Sequence, residues 1–170
     1  MSTNKQPGKH LLWWIGLYVL SDKALIPTRY ETDAGFHLDR EPVLEFDYRN
    51  KEEFVSALSQ VVKDGNPRIH APDPEEVQKA VPTIQRYIKA KSWNEAERRT
   101  IHFSIECVED EFIITCSQRA ADGTWARGKD SNLLERHIPL NEGIAAVVDV
   151  ILDHLSERSD LPGLPITRTA

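Results

Sequence analysis

The sequence predicts an α+β protein, a mostly antiparallel sheet with about three packed helices in a single domain. Three observations carry this. Residues 102–107 and 112–117 alternate polar and apolar side chains on either side of an acidic turn, the pattern of a half-buried hairpin. Helix-start sequences at Asn50 and Asp73, and a possible cap at Asn141, precede apolar residues at helical spacing,. The chain has 170 residues, 40% hydrophobic and 28% charged. A chain of that size buries roughly 70% of its unfolded surface without needing a metal or disulfide.

Residues 1–9 are polar and read as a flexible N-terminus. The run Leu11 to Leu20 is apolar on both faces and rich in aromatic and branched residues, which suits a central strand. Ala24-Leu25-Ile26, Phe36-His37-Leu38 and Val43 to Phe46 read as two or three more strands, with a turn at Asp33-Ala34-Gly35,. In Asn50-Lys51-Glu52-Glu53 the Asn50 side chain accepts from the Glu53 amide and Glu53 reaches back. Phe54, Val55, Leu58, Val61 and Val62 then form a helical stripe that ends near Gly65,.

Asp73-Pro74-Glu75-Glu76 opens a second helix, with Val77, Val81, Ile84 and Ile88 as its buried side,. Pro82 lacks an amide proton and crowds the Gln78 carbonyl, so a kink or break is expected there. Ser92-Trp93-Asn94-Glu95 caps a further short helix. In the hairpin, a tip at Asp110-Glu111 puts Phe103, Ile105 and Cys107 on one face with Phe112, Ile114 and Cys116. Asp122-Gly123 is a turn, Trp125 begins a short strand, and Arg136 to Leu140 is a last strand. Asn141 caps a final helix with the stripe Ile144, Val147, Val148, Ile151 and Leu155, and with Asp149, Asp153 and Glu157 opposite,. The domain is expected over 10–158, with 159–170 as a Pro-rich, non-helical C-terminal tail.

Lys+Arg number 21 against Asp+Glu 27, a net charge of −6. This disfavours nucleic acid and favours a basic protein partner. Cys107 and Cys116 form no Cys-x-x-Cys pair and indicate a reducing compartment. A basic N-terminus before ten apolar residues imitates a signal peptide. The run is too short to span a bilayer, and its tandem tryptophans fit a buried strand better.

No phosphate loop, His-Glu-x-x-His or Gly-x-Ser-x-Gly is present in the sequence,. The cysteines read as core thiols. His102 and His137 lie on strands and, with a carboxylate, would make a general base; separate surface or edge histidines are the favoured reading. Arg86, Lys89, Lys91, Arg98 and Arg99, with Tyr87 and Trp93 interleaved, form a basic stretch suited to RNA or to a solvated helix face. Six acids lie between Glu31 and Asp47, with Arg40 as the one base among them. An acidic rim steers a basic partner; the competing reading is a strand edge guarded by charge.

The opening Leu11 to Tyr18, the segment Pro42 to Tyr48, the hairpin Ile101 to Ser117 and the closing helix Gly143 to Leu155 together resemble the immunity proteins of bacterial contact-dependent growth inhibition systems. The resemblance spans most of residues 10–157 and implies a cytoplasmic protein without cofactor or metal and without catalytic residues. It implies a partner, the cognate C-terminal toxin domain, often a nuclease acting on transfer RNA, and neither nucleic-acid nor membrane binding. The resemblance supplies no binding residues. Charge alone selects Glu31, Asp33, Asp39 and Glu41, with Trp125 as an aromatic anchor. The alternatives are a small hydrolase or transferase using His102 or His137, an RNA-associated protein using residues 86–99, and a periplasmic protein if residues 1–21 are a signal.

Overall fold

The computed structural model describes residues 10–128 and 131–168; the expected N-terminal segment 1–9 lies outside them. The elements in order are β1 (Leu11–Val19), β2 (Ala24–Thr32), β3 (His37–Phe46), α1 (Lys51–Asp64), β4 (Arg68–Ile69), α2 (Pro74–Lys79), α3 (Thr83–Tyr87), α4 (Trp93–Arg99), β5 (Ile101–Val108), β6 (Glu111–Ser117), β7 (Asn132–Pro139) and α5 (Gly143–Glu157). The sheet runs β3-β2-β1-β5-β6-β7, and two-residue β4 pairs with β2 in parallel while every other pairing is antiparallel. This is the α+β architecture the sequence predicts, with α1 and α5 packed on one face.

β1 is central because both of its faces are covered. Trp13, Ile15, Leu17 and Val19 point into the main core with Phe54 and Leu58 of α1 and Val147, Val148, Ile151 and Leu155 of α5. Tyr18 points the other way, into a smaller cluster with Leu20, Leu25 and Ile84. Each fully buried Leu, Ile or Phe here stabilises the fold by about 1.5–3 kcal/mol. The hairpin register follows the alternation: Phe103 pairs with Cys116, Ile105 with Ile114 and Cys107 with Phe112. The turn itself is at Glu109-Asp110, and β6 begins at Glu111.

Four local expectations are corrected. Asn50 caps α1 as expected, accepting from the Glu53 amide at 3.2 Å, but the Glu53 carboxylate accepts from the Asp47 amide rather than that of Asn50. The Pro82 break is complete, and it turns α2 so that no residue of α2 is buried; Val81 is 51% exposed while Ile84 is buried in α3. β7 begins at Asn132, four residues earlier than expected; it is an edge strand whose positions are mostly exposed, Leu133 included at 52%, so no apolar alternation marks its start. Asn141 does not cap α5: residues Leu140–Glu142 form a 3-10 turn, and the chain enters α5 from there without a side-chain acceptor.

The segment after α5 is non-helical and packs down. Leu161 is buried in the main core, with Leu164 and Ile166 against it. Asp160 bridges Arg158 at 2.5 Å and Arg119 at 2.7 Å, and Arg168 bonds Asp149 at 2.8 Å and also Asp153. The packed unit therefore continues past residue 158.

Candidate functional site

The sheet face away from α1 and α5 is polar. β1 contributes Trp14, Gly16 and Tyr18 to it; β2 contributes Arg29, β3 Asp39, and β5 His102, Ser104 and Glu106, as the cross-strand pairs require. Helices α2 and α3 stand over one end. Between them and β3 lies a cleft of about 780 Å³, floored by Trp14, Tyr18, Arg29 and Asp39 and walled by Leu38, Val77, Val81 and Trp93.

An ion pair fixes the floor. Arg29 Nε donates to Asp39 Oδ1 at 2.6 Å, and Arg29 Nη2 donates to Oδ2 at 2.9 Å. The Tyr18 hydroxyl donates to the same Oδ2 at 3.2 Å. Burial, with the Asp39 charge beside it, pushes the Tyr18 phenol well above its ordinary value. The guanidinium stacks 4.4 Å over the Trp14 ring, which is itself held by its indole N–H to Ser104 Oγ at 2.6 Å. Thr83 of α3 donates to the Asp39 carbonyl at 2.6 Å, tying the wall to the floor. Arg29 is only 9% exposed, and among the described residues its Nη1 has no hydrogen-bond partner; the same is true of His102 Nε2.

Gly16 makes this possible. A Cβ there would lie 2.8 Å from Arg29 Nη2 and 3.1 Å from His102 Nε2. His102 stacks on Trp125 with centroids 4.9 Å apart and lies 4.8 Å from Tyr18. Burial, helped by the Arg29 charge, pulls its pKa down to about 4, so the ring is neutral at pH 7. It is not the surface or edge histidine expected. His137 shares its face but pairs with Ile113 of β6 and does not meet His102. Its nitrogens instead face Glu111 at 3.1 Å and Glu135 at 3.2 Å, and those carboxylates raise its pKa, Glu135 most. Among the described residues, no group of three or more potential metal ligands converges.

The four acids of the expected rim separate into two places. Asp39 and Glu41 line the main cleft. Glu31 and Asp33 line a smaller hollow of about 480 Å³ at the β2–β3 hairpin tip. Each has a partner within the chain. Asp39 holds Arg29, Glu41 faces Arg86 at 3.7 Å, Glu31 faces Arg68 at 3.4 Å, and Asp33 accepts from the Ala71 amide and contacts His70 at 2.5 Å. Trp125 is half-buried: its amide donates to Glu97, its indole N–H donates to the Thr100 carbonyl at 3.1 Å, and its ring packs on Trp93, Tyr18 and His102. It is an anchor for this chain's own loop.

The basic stretch is interleaved with acids: Arg99 faces Glu95, and buried Glu97 binds Arg127. Both cysteines are buried thiols, and burial pushes Cys116 up to about 11. Arg29, Gly16 and Trp14 were not singled out from the sequence as site residues. An arginine ten residues before an aspartate carries no signal until strand register brings the two together.

No family model and no curated protein matches the chain. Among solved structures, a Neisseria meningitidis protein of unknown function is similar in fold, with a TM-score of 0.53 and 14% identity over 91% of this chain and 99% of that one. At that identity the likeness speaks to the fold alone.

Proposed function

We propose that this protein acts by stoichiometric binding of a protein partner, and that it is an immunity protein neutralising a cognate toxin domain of a contact-dependent growth inhibition system. The observation that carries the binding reading is the cleft between β3 and α2–α3. It is open, amphipathic and already built, because Arg29, Asp39, Tyr18 and Thr83 hold one another in place. A surface fixed before the encounter loses little conformational freedom on binding, which favours affinity. Asp39 favours binding over catalysis: both of its oxygens are engaged by donors, so it is poorly placed to accept a substrate proton. The resemblance of the opening strand, the hairpin and the closing helix narrows the class to immunity proteins.

Charge changes the picture of the partner. Arg29, Arg40 and Arg86 are balanced around the cleft by Asp39, Glu41 and Glu76. A uniformly basic surface gains no local attraction there; shape, apolar contact and individually placed polar groups decide the affinity. The test is co-expression with the C-terminal toxin domain encoded beside the gene. A one-to-one complex with restored growth is the expected outcome. Separate elution with no rescue would remove the immunity reading.

A further inference from the structure

We propose that the cleft takes a carboxylate carried on an otherwise apolar, extended segment of a protein partner, with Arg29, Arg40 and Arg86 as the groups that recognise it. This rests on reading the cleft as a protein-binding surface, and it identifies what that surface selects. At the floor the acid is already engaged, Asp39 accepting from three donors of the same chain. Arg29 beside it keeps one donor, Nη1, unused among the described residues.

Three observations support this. Arg29 uses Nε and Nη2 on Asp39, which leaves Nη1 without a partner among the described residues, in a side chain that is 9% exposed. A buried donor left unmade costs about 1–3 kcal/mol, and an acceptor brought by a partner recovers that. Arg40 lines the same cleft and forms no ion pair among the described residues. Arg86 faces Glu41 only at 3.7 Å, with both side chains 60% exposed, a pair weak enough to exchange partners.

The opposing charges are Asp39, Glu41 and Glu76. Asp39 accepts from three donors, so its charge is compensated at the floor. Glu41 and Glu76 stand with Arg40 and Arg86 and leave the cleft near neutrality. This balance selects a single carboxylate with apolar neighbours over a polyanion. Leu38, Val77 and the exposed Val81 supply the apolar walls, and about 780 Å³ is room for a few residues,. Nη1 has no solvent contact in the free protein, so a carboxylate reaching it displaces a lining side chain. The stacked Trp14 ring reports that movement.

The experiment follows the indole N–H resonances of Trp14 and Trp93, both in the cleft, during titration with a blocked tripeptide bearing aspartate between two leucines. The same peptide with asparagine is the comparison. Saturable shifts with the aspartate peptide are expected, at least tenfold weaker with the asparagine peptide and with the variant Arg40→Glu, whose site is exposed and leaves the core intact. Equal responses to both peptides, or no response, overturn the proposal. Peptide selectivity without toxin neutralisation would remove the immunity reading alone. Neutralisation unaffected by Arg40→Glu and Val81→Glu, with no peptide response, would remove this inference alone.

Discussion

Gly16 is the residue on which the polar sheet face depends. Arg29 and His102 lie close over it, Arg29 nearer than a Cβ would permit and His102 at the tight edge of contact. Gly16→Ala forces one of them aside, and overpacking of this kind costs about 1–3 kcal/mol. Urea denaturation should show a lower midpoint with an unchanged slope. His102 makes a second prediction at this scale. Its ordinary value of 6.5 falls to about 4 in the folded protein, so between those values the unfolded chain binds a proton that the folded chain does not. The stability this group contributes is complete above about pH 6.5 and is lost as pH falls toward 4, roughly 3 kcal/mol over the window,. His137 runs the other way: its raised pKa gives stability at low pH that is lost as pH rises through the raised value. Urea midpoints at pH 7 and pH 4.5 should therefore differ less in His102→Gln than in the parent; an equal difference would show that His102 does not carry the effect. None of this was legible in the residues one by one. Gly16 sits inside an aromatic run that reads only as a strand, and Arg29 and Asp39 become a pair through the β2–β3 register. Conversely, the two cysteines were legible as core thiols, because alternation along the hairpin already placed them on the apolar face.

At the scale of elements, the segment after α5 acts as a strap. Leu161 fills part of the main core, and Asp160 compensates both Arg158 and Arg119. Burial alone would raise the Asp160 pKa, but the hydrogen bonds from those two arginines hold it well below the usual carboxylate range. Arg158 in turn donates to the Cys116 sulfur and to His154 beneath the sheet. Leu161→Ala should cost about 2–4 kcal/mol through the cavity it opens. Asp160→Asn should also destabilise, by leaving two guanidinium groups without their carboxylate. Thermal melts of both variants check this; wild-type melting temperatures would show that the strap is only laid against the surface. A Pro-rich stretch has no hydrophobic period, so no pattern in 159–168 announces which leucine is buried. The helices and the hairpin were legible because periodicity assigns a face residue by residue. Where a period was interrupted, as between Val77 and Ile84, the break at Pro82 was readable but the direction of the two pieces was not, and Val81 faces solvent instead of the core.

For the whole molecule, charge acts on two length scales. The chain carries a net −6, and that net charge governs long-range approach to any partner. The cleft is nearly neutral, so it adds little to that long-range field and the contacts made after docking are short-range. The sequence revealed the first and hid the second: composition counts acids, whereas pairing across strands and helices decides which of them are free to meet a partner. Kinetics can separate the two. With a basic cognate domain, the association rate should fall as salt rises from 50 to 500 mM, and Glu31→Lys with Asp33→Lys should lower it modestly, because each acid already has a partner at the hairpin tip. Val81→Glu, set in the exposed apolar wall, should leave association within about twofold and speed dissociation by tenfold or more, as truncating or charging a central contact does. The reverse pattern, with the tip acids controlling dissociation and Val81 silent, would move the interface from the cleft to the hairpin tip.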